Sequence, residues 1–157
     1  MCGVFGLIYP HDDSSTRLAS EKIIKDGLEN LKLRGPDSSG VSNIALPIFN
    51  VNLAHTRLSI LDTSDLGSQP MKYKHLEVTY NGEIYNFVEI REELKILGYI
   101  FDSNSDTEVL IKAWDFWGSD CLVKLNGMFA FSVINKITNE NPTHIYLLQL
   151  FTCKKIQ

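Results

Sequence analysis

Apolar runs of strand length alternate along this chain with blocks of helical periodicity, and no helical block is placed as a regular crossover between two strands. That arrangement predicts α+β layers rather than a doubly wound parallel sheet. Gly3 to Tyr9 is a short apolar run ended by Pro10, which reads as a strand buried on both faces with Cys2 at its very start. Ser14 or Ser15 is placed to cap a helix whose apolar face is Ile24, Leu28 and Leu31, ending near Arg34 and Gly35. The segment from Gly35 to Gly40 has loop chemistry. Ile44 to His55 reads as one or two strands broken at Pro47, and Arg57 to Leu61 continues the run. Leu76 to Tyr80 is a further strand, leading straight into Asn81-Gly82, a strong turn signal. Ile90, Leu94 and Leu97 mark a helix closed by Gly98. Leu110, Ala113, Trp114 and Trp117 mark another closed by Gly118, with Ser105 or Asp106 at its cap. Met128 to Ile134 and Ile145 to Phe151 are strand candidates on either side of a polar stretch.

The chain has 157 residues, of which 44% are apolar, enough for one core without metal or disulfides. Its formal charge of -4 and the absence of a dense Lys/Arg run argue against nucleic acid or an anionic membrane as partner, leaving a small molecule or another protein. Cys2, Cys121 and Cys153 share no metal-type spacing and are odd in number, so they read as thiols in a reducing compartment, the cytoplasm. The apolar N-terminus lacks a basic leader, and His11, Asp12 and Asp13 interrupt it well before a membrane-spanning length.

A cysteine at position two becomes the N-terminal residue once the initiator Met is removed. Its free α-amine, with a reference pKa of about 7.7–8.0, can take the thiol proton directly or through a water, which puts nucleophile and base in one residue. Taken alone, Cys2 reads as a small buried residue opening a strand.

The remainder of the chain changes that reading. Met1-Cys2-Gly3-Val4-Phe5-Gly6 resembles the N-terminus of class II, N-terminal-nucleophile glutamine amidotransferases. Further blocks resemble the same family in the same order: Arg34 to Asp37, Ala54 to Ile60, Tyr80 to Asn86, Ser105 to Glu108 and Leu125 to Phe131. Within the family, the residues at Arg57-Leu58-Ser59-Ile60 and before Asn-Gly resemble the N-terminal domain of glutamine-hydrolysing asparagine synthetases. The resemblance implies a four-layer αββα sandwich of the N-terminal-nucleophile hydrolase type, spanning residues 2–134. It implies glutamine as substrate, hydrolysed to glutamate and ammonia through a thioester on Cys2. Asn81 and Gly82 would be the oxyanion hole, by the side-chain amide and the backbone N–H. A hairpin turn is the other reading of that pair, and a turn can also present donors.

Free glutamine is a zwitterion, so recognition needs a cation and an acceptor. The resemblance assigns the carboxylate to Arg57, whose planar fork suits it, and the ammonium to Asp106 together with backbone groups near Glu83. Leu58, Ser59, Ile60 and Leu61 join Arg57 in the substrate loop. His55 invites a Cys-His dyad, but the α-amine already supplies a base and His55 is read as structural. No metal is expected. ATP and magnesium would belong to a synthetase domain, whose Ser-Gly-Gly-type pyrophosphate loop has no counterpart here, so a synthetase domain or subunit is the expected partner. Residues 135–157 form a divergent tail that does not align with the family. A truncated gene, a shifted frame and a stand-alone subunit each account for it, and a non-catalytic remnant or a regulatory glutamine-binding module is the alternative to an enzyme.

Overall fold

The computed structural model describes residues 2–10, 14–47, 49–136 and 144–152, with the side chains of 14–17 and 144–152 left undescribed. Strand β1 (Gly3–Pro10) leads to helix α1 (Ser14–Leu31) and then to β2 (Ser38–Ala45) and β3 (Phe49–Arg57). A three-residue strand β4 (Met71–Tyr73) and β5 (Leu76–Ile84) follow, then helices α2 (Phe87–Ile96) and α3 (Asp106–Trp117). β6 (Gly127–Asn135) and β7 (His144–Thr152) complete the order.

The strands form two antiparallel sheets, ordered β1-β3-β2 and β4-β5-β6-β7. Helix α1 packs on β1 and β3, helix α3 packs on β4, β5 and α2, and β5 touches β1 and β3 across the gap between sheets. The layers therefore run helix, sheet, sheet, helices, as the resemblance implied.

Two apolar clusters hold the layers. Leu76, Val78 and Tyr80 of β5, with Phe129, Phe131 and Val133 of β6, pack on Leu94 and Leu110 of the helices, and Trp114 meets the Phe131 ring edge-on at 5.6 Å. Between the sheets Ile44, Leu46, Val51 and Leu53 pack on Ile134. The helices end where glycine allows a left-handed backbone, at Gly98 (φ 93°) after α2 and Gly118 (φ 57°) after α3. Ser105 caps α3 by accepting the Glu108 N–H at 3.2 Å. Residue 13 lies outside the described residues, so the capping of α1 stays an expectation.

Three local expectations are corrected. Ser38, Ser39 and Gly40 lie in β2, paired with Arg57, Thr56 and His55 of β3, rather than in a loop, and a Cβ on Gly40 would come within 2.0 Å of the Gln69 carbonyl oxygen. Glycine there permits a close approach and marks no turn. Asn81-Gly82 lies inside β5, paired with Ala130 and Phe129, so the hairpin reading fails. Again close packing explains the glycine, since a Cβ on Gly82 would sit 2.3 Å from the Met128 carbonyl oxygen. Finally, β3 ends at Arg57, and Leu58 to Leu61 leave the sheet as a loop tied back by side chains. The short β4 was not visible as a pattern in the sequence. In the C-terminal tail, residues 144–152 pair with β6 along its full length, from Gly127↔Thr152 to Asn135↔His144.

Candidate active site

Antiparallel pairing of β1 with β3 sets Gly3 opposite Thr56, which brings Cys2 beside the point where β3 gives way to the loop. The half-buried Cys2 thiol receives the Leu58 N–H at 3.4 Å and lies 3.8 Å from the Leu58 carbonyl oxygen. Arg34, just past α1, donates from Nε to the Cys2 carbonyl oxygen at 3.3 Å. Gly35 lets that turn lie on the β3 backbone, since a Cβ would be 2.3 Å from the Thr56 carbonyl. Asp37 receives the Ser59 N–H at 2.7 Å, and its own N–H bonds the Arg57 carbonyl oxygen at 3.0 Å. The Arg34 to Asp37 block thus holds both Cys2 and the start of the loop.

The loop is then drawn around Arg57. Its guanidinium, almost fully buried, donates to the Ser64 carbonyl oxygen at 2.7 Å and to the Asp62 carbonyl oxygen. Gly67 leaves it room, as a Cβ there would stand 2.4 Å from the Arg57 Nη2. The Asp62 carboxylate accepts from the Ser64 N–H at 2.8 Å, the Ser64 hydroxyl at 2.6 Å and the Asn104 N–H at 2.8 Å. Those bonds hold the Asp62 carboxyl below its ordinary value, and they fasten the loop to the segment before α3.

Across from Cys2, the start of α3 presents Asp106. Its Oδ2 accepts from the Tyr80 hydroxyl at 2.5 Å and from the Ile84 N–H at 3.2 Å. Burial pushes the Asp106 carboxyl up, opposed by the Tyr80 bond and the backbone donors. Burial and then Asp106 push the Tyr80 hydroxyl far above its usual value, so it remains a donor. Glu83 is raised by burial and by Asp106. Gln69 accepts the Tyr80 N–H at 2.6 Å and donates to the Thr107 hydroxyl at 3.1 Å, bracing β5 against α3.

These groups enclose a cavity of about 360 Å³. Its walls include Cys2, Arg57, Leu58, Ser59, Ile60 and Leu61 from the first sheet and its loop. Gly82, Glu83 and Asp106 face them from β5 and α3. The sequence matches the family described as Glutamine amidotransferase domain over residues 1–142. The chain belongs to that family.

This glutamine amidotransferase domain is 39% identical over 138 residues to asparagine synthetase [glutamine-hydrolyzing] 1 of Bacillus subtilis, covering 87% of the chain and 21% of that protein. It is 38% identical over 144 residues to asparagine synthetase 3 of the same organism, covering 88% and 22%. The Brassica oleracea asparagine synthetase is 35% identical over 141 residues, covering 88% and 22%. The chain thus spans between a fifth and a quarter of these relatives. Among solved structures, the glutamine phosphoribosylpyrophosphate amidotransferase of B. subtilis aligns with a TM-score of 0.63 at 21% identity, covering 85% of this chain and 35% of that one. A second, an allosteric regulatory enzyme of purine biosynthesis, aligns with a TM-score of 0.64 at 20% identity, covering 85% and 35%. Both share the fold.

Of the residues expected from sequence in this amidotransferase domain, Asn81 alone is not in the cavity wall. It is half-buried on β5 between Tyr80 and Gly82, and its Oδ1 is buried without a hydrogen-bond partner. His55 is buried in β3, away from the cavity wall, with neither ring nitrogen hydrogen-bonded. Burial lowers its pKa to about 4, with the Arg57 charge adding to the effect and the Tyr80 backbone opposing it. His55 is therefore a neutral core residue near pH 7. Asp62, Gln69, Tyr80 and Tyr85 also line the cavity, with no role expected for them from sequence. Tyr80 and Tyr85 fall inside a block that resembles the family, and that adjacency was the signal available. Among the described residues no helix is long and apolar enough to cross a membrane.

Proposed function

We propose that this domain hydrolyses glutamine, with Cys2 as nucleophile. The observation that carries the reading is the convergence of the Cys2 thiol, the Arg57 guanidinium and the Asp106 carboxylate on one cavity. Glutamine presents a carboxylate, an ammonium and an amide, and these three groups answer each of them. Removal of Met1 frees the Cys2 α-amine, which takes the thiol proton as sulfur attacks the amide carbon. The tetrahedral oxyanion is met by two donors, the Gly82 backbone N–H and the Asn81 side-chain Nδ2–H. The carbon–nitrogen bond breaks, ammonia leaves with the proton held by the amine, and water then releases glutamate from the thioester and restores the thiol.

Ammonia is then delivered to an acceptor site on a synthetase domain or subunit, as the likeness to asparagine synthetases supports. The mouth of the cavity is rimmed by side chains that suit such docking: Ile60 is 66% exposed, Tyr85 52% and Met128 47%. Unpaired thiols at Cys2 and Cys121 fit a cytoplasmic setting. The test is a glutaminase assay on the Met1-processed chain and on Cys2→Ala. Glutamate release by the first and none by the second is expected. Hydrolysis that survives Cys2→Ala would remove the nucleophile assignment.

A further inference from the structure

We infer that Tyr80 is a positioning residue for the substrate's α-ammonium, holding one oxygen of Asp106 so that the carboxylate stays ionised and its other oxygen is turned to the ligand. This rests on the reading above that Asp106 receives the ammonium.

The geometry carries it. Tyr80 donates its hydroxyl to Oδ2 of Asp106 at 2.5 Å, and the Ile84 N–H supplies the same oxygen at 3.2 Å. A charge-assisted bond this short fixes the carboxylate plane. Tyr80 is itself locked at both ends, because its own N–H is held by Gln69, whose amide also bonds Thr107 next to Asp106. Tyrosine and aspartate both line the cavity, and both are buried, so water cannot replace the hydroxyl freely. The other charged or titratable groups in that wall are Glu83 on β5, Tyr85 just after it, Cys2 at β1, Arg57 at β3 and Asp62 in the loop. Asp106 raises the Glu83 carboxyl, while burial opposes the ionisation of Asp106 itself. The phenol is the donor side chain that offsets this from the strand.

Removing the hydroxyl raises the Asp106 carboxyl further, because a bond favouring the charged form is lost while burial persists. Asp106 then takes a proton at higher pH, and the ammonium loses its counter-charge earlier as pH falls. The experiment compares glutamine with glutaramate, the same molecule without its α-amino group, in wild type, Tyr80→Phe and Asp106→Asn, each Met1-processed, from pH 5 to 9. Tyr80→Phe is expected to cut the kcat/KM preference for glutamine over glutaramate about tenfold, the scale of one hydrogen bond to a charged group. The loss should fall mainly in KM, and the acid limb of the glutamine profile should move to higher pH. Equal losses for both substrates, or an unmoved limb, overturn the proposal while leaving Asp106 in place. An unchanged preference in Asp106→Asn instead overturns the ammonium reading itself. Should Tyr80→Phe fail to fold, 3-fluorotyrosine at position 80 keeps the ring and strengthens the donor. The limb should then move to lower pH, and an unmoved one again overturns the proposal.

Discussion

Arg57 is committed to its loop before any substrate arrives, since two of its donors already hold the Asp62 and Ser64 carbonyl oxygens. Arg57→Lys should therefore do more than weaken a carboxylate contact. One ammonium cannot serve two carbonyls and a ligand fork at once, so the loop that brings Leu58 N–H to Cys2 should shift. Steady-state glutaminase kinetics should show KM raised at least about tenfold, as for a lost charged hydrogen bond, and kcat lowered as well. A lysine variant with wild-type constants would contradict this. Asn81 calls for the opposite pattern. Asn81→Ala should lower kcat by about one hundredfold to one thousandfold with little change in KM, the usual loss of one oxyanion donor. A change confined to KM would take Asn81 out of the oxyanion hole. Arg57 and Asp106 were singled out by the resemblance of their blocks to the family, and the fold brings both to the cavity wall. Tyr80 and Asp62 were not, because a residue that acts by holding another carries no signature of its own, and only the folded distances reveal it.

Glycines separate what the elements disclose from what they hide. At Gly98 and Gly118 a positive φ ends a helix, and helical periodicity pointed to both. At Gly40 and Gly82 the glycine sits within a strand because a neighbouring backbone comes too close for a Cβ, and sequence alone reads the same letter as a turn. The three residues of β4 carry too short a pattern to detect. Helix α1 offers a test of this distinction. Gly27 lies inside α1, where replacement by alanine ordinarily stabilises by about 0.5–1 kcal/mol. Here a Cβ would stand 2.4 Å from the Phe5 ring on the adjoining strand. Gly27→Ala should instead destabilise by about 1–3 kcal/mol, the cost of overpacking, and Phe5→Leu in the same chain should recover part of the loss. Urea unfolding of the two variants checks it, and a more stable Gly27→Ala would show that α1 can slide away from β1.

At the scale of the molecule, the cavity lies where the first sheet and its loop meet β5 and the start of α3, so the stability of that junction and the chemistry share buried polar groups. His55 lies in this junction, neutral and without a hydrogen bond. Its folded pKa of about 4 lies below the ordinary 6.5, so the unfolded chain takes up a proton first as pH falls. Stability from this residue is complete above about pH 6.5 and is lost progressively down to about pH 4. The loss is on the order of 3 kcal/mol by the usual conversion of a pKa shift. Asp106 works in the other sense, since its raised folded pKa favours the folded state as it protonates, which partly offsets the loss. Urea melts at pH 7.5 and pH 5 should therefore show wild type weakening more than His55→Phe, whose side chain cannot titrate. Equal pH dependence in the two chains would mean that His55 is protonated within the fold, and its reading as a bystander to the Cys2 chemistry would have to be reopened.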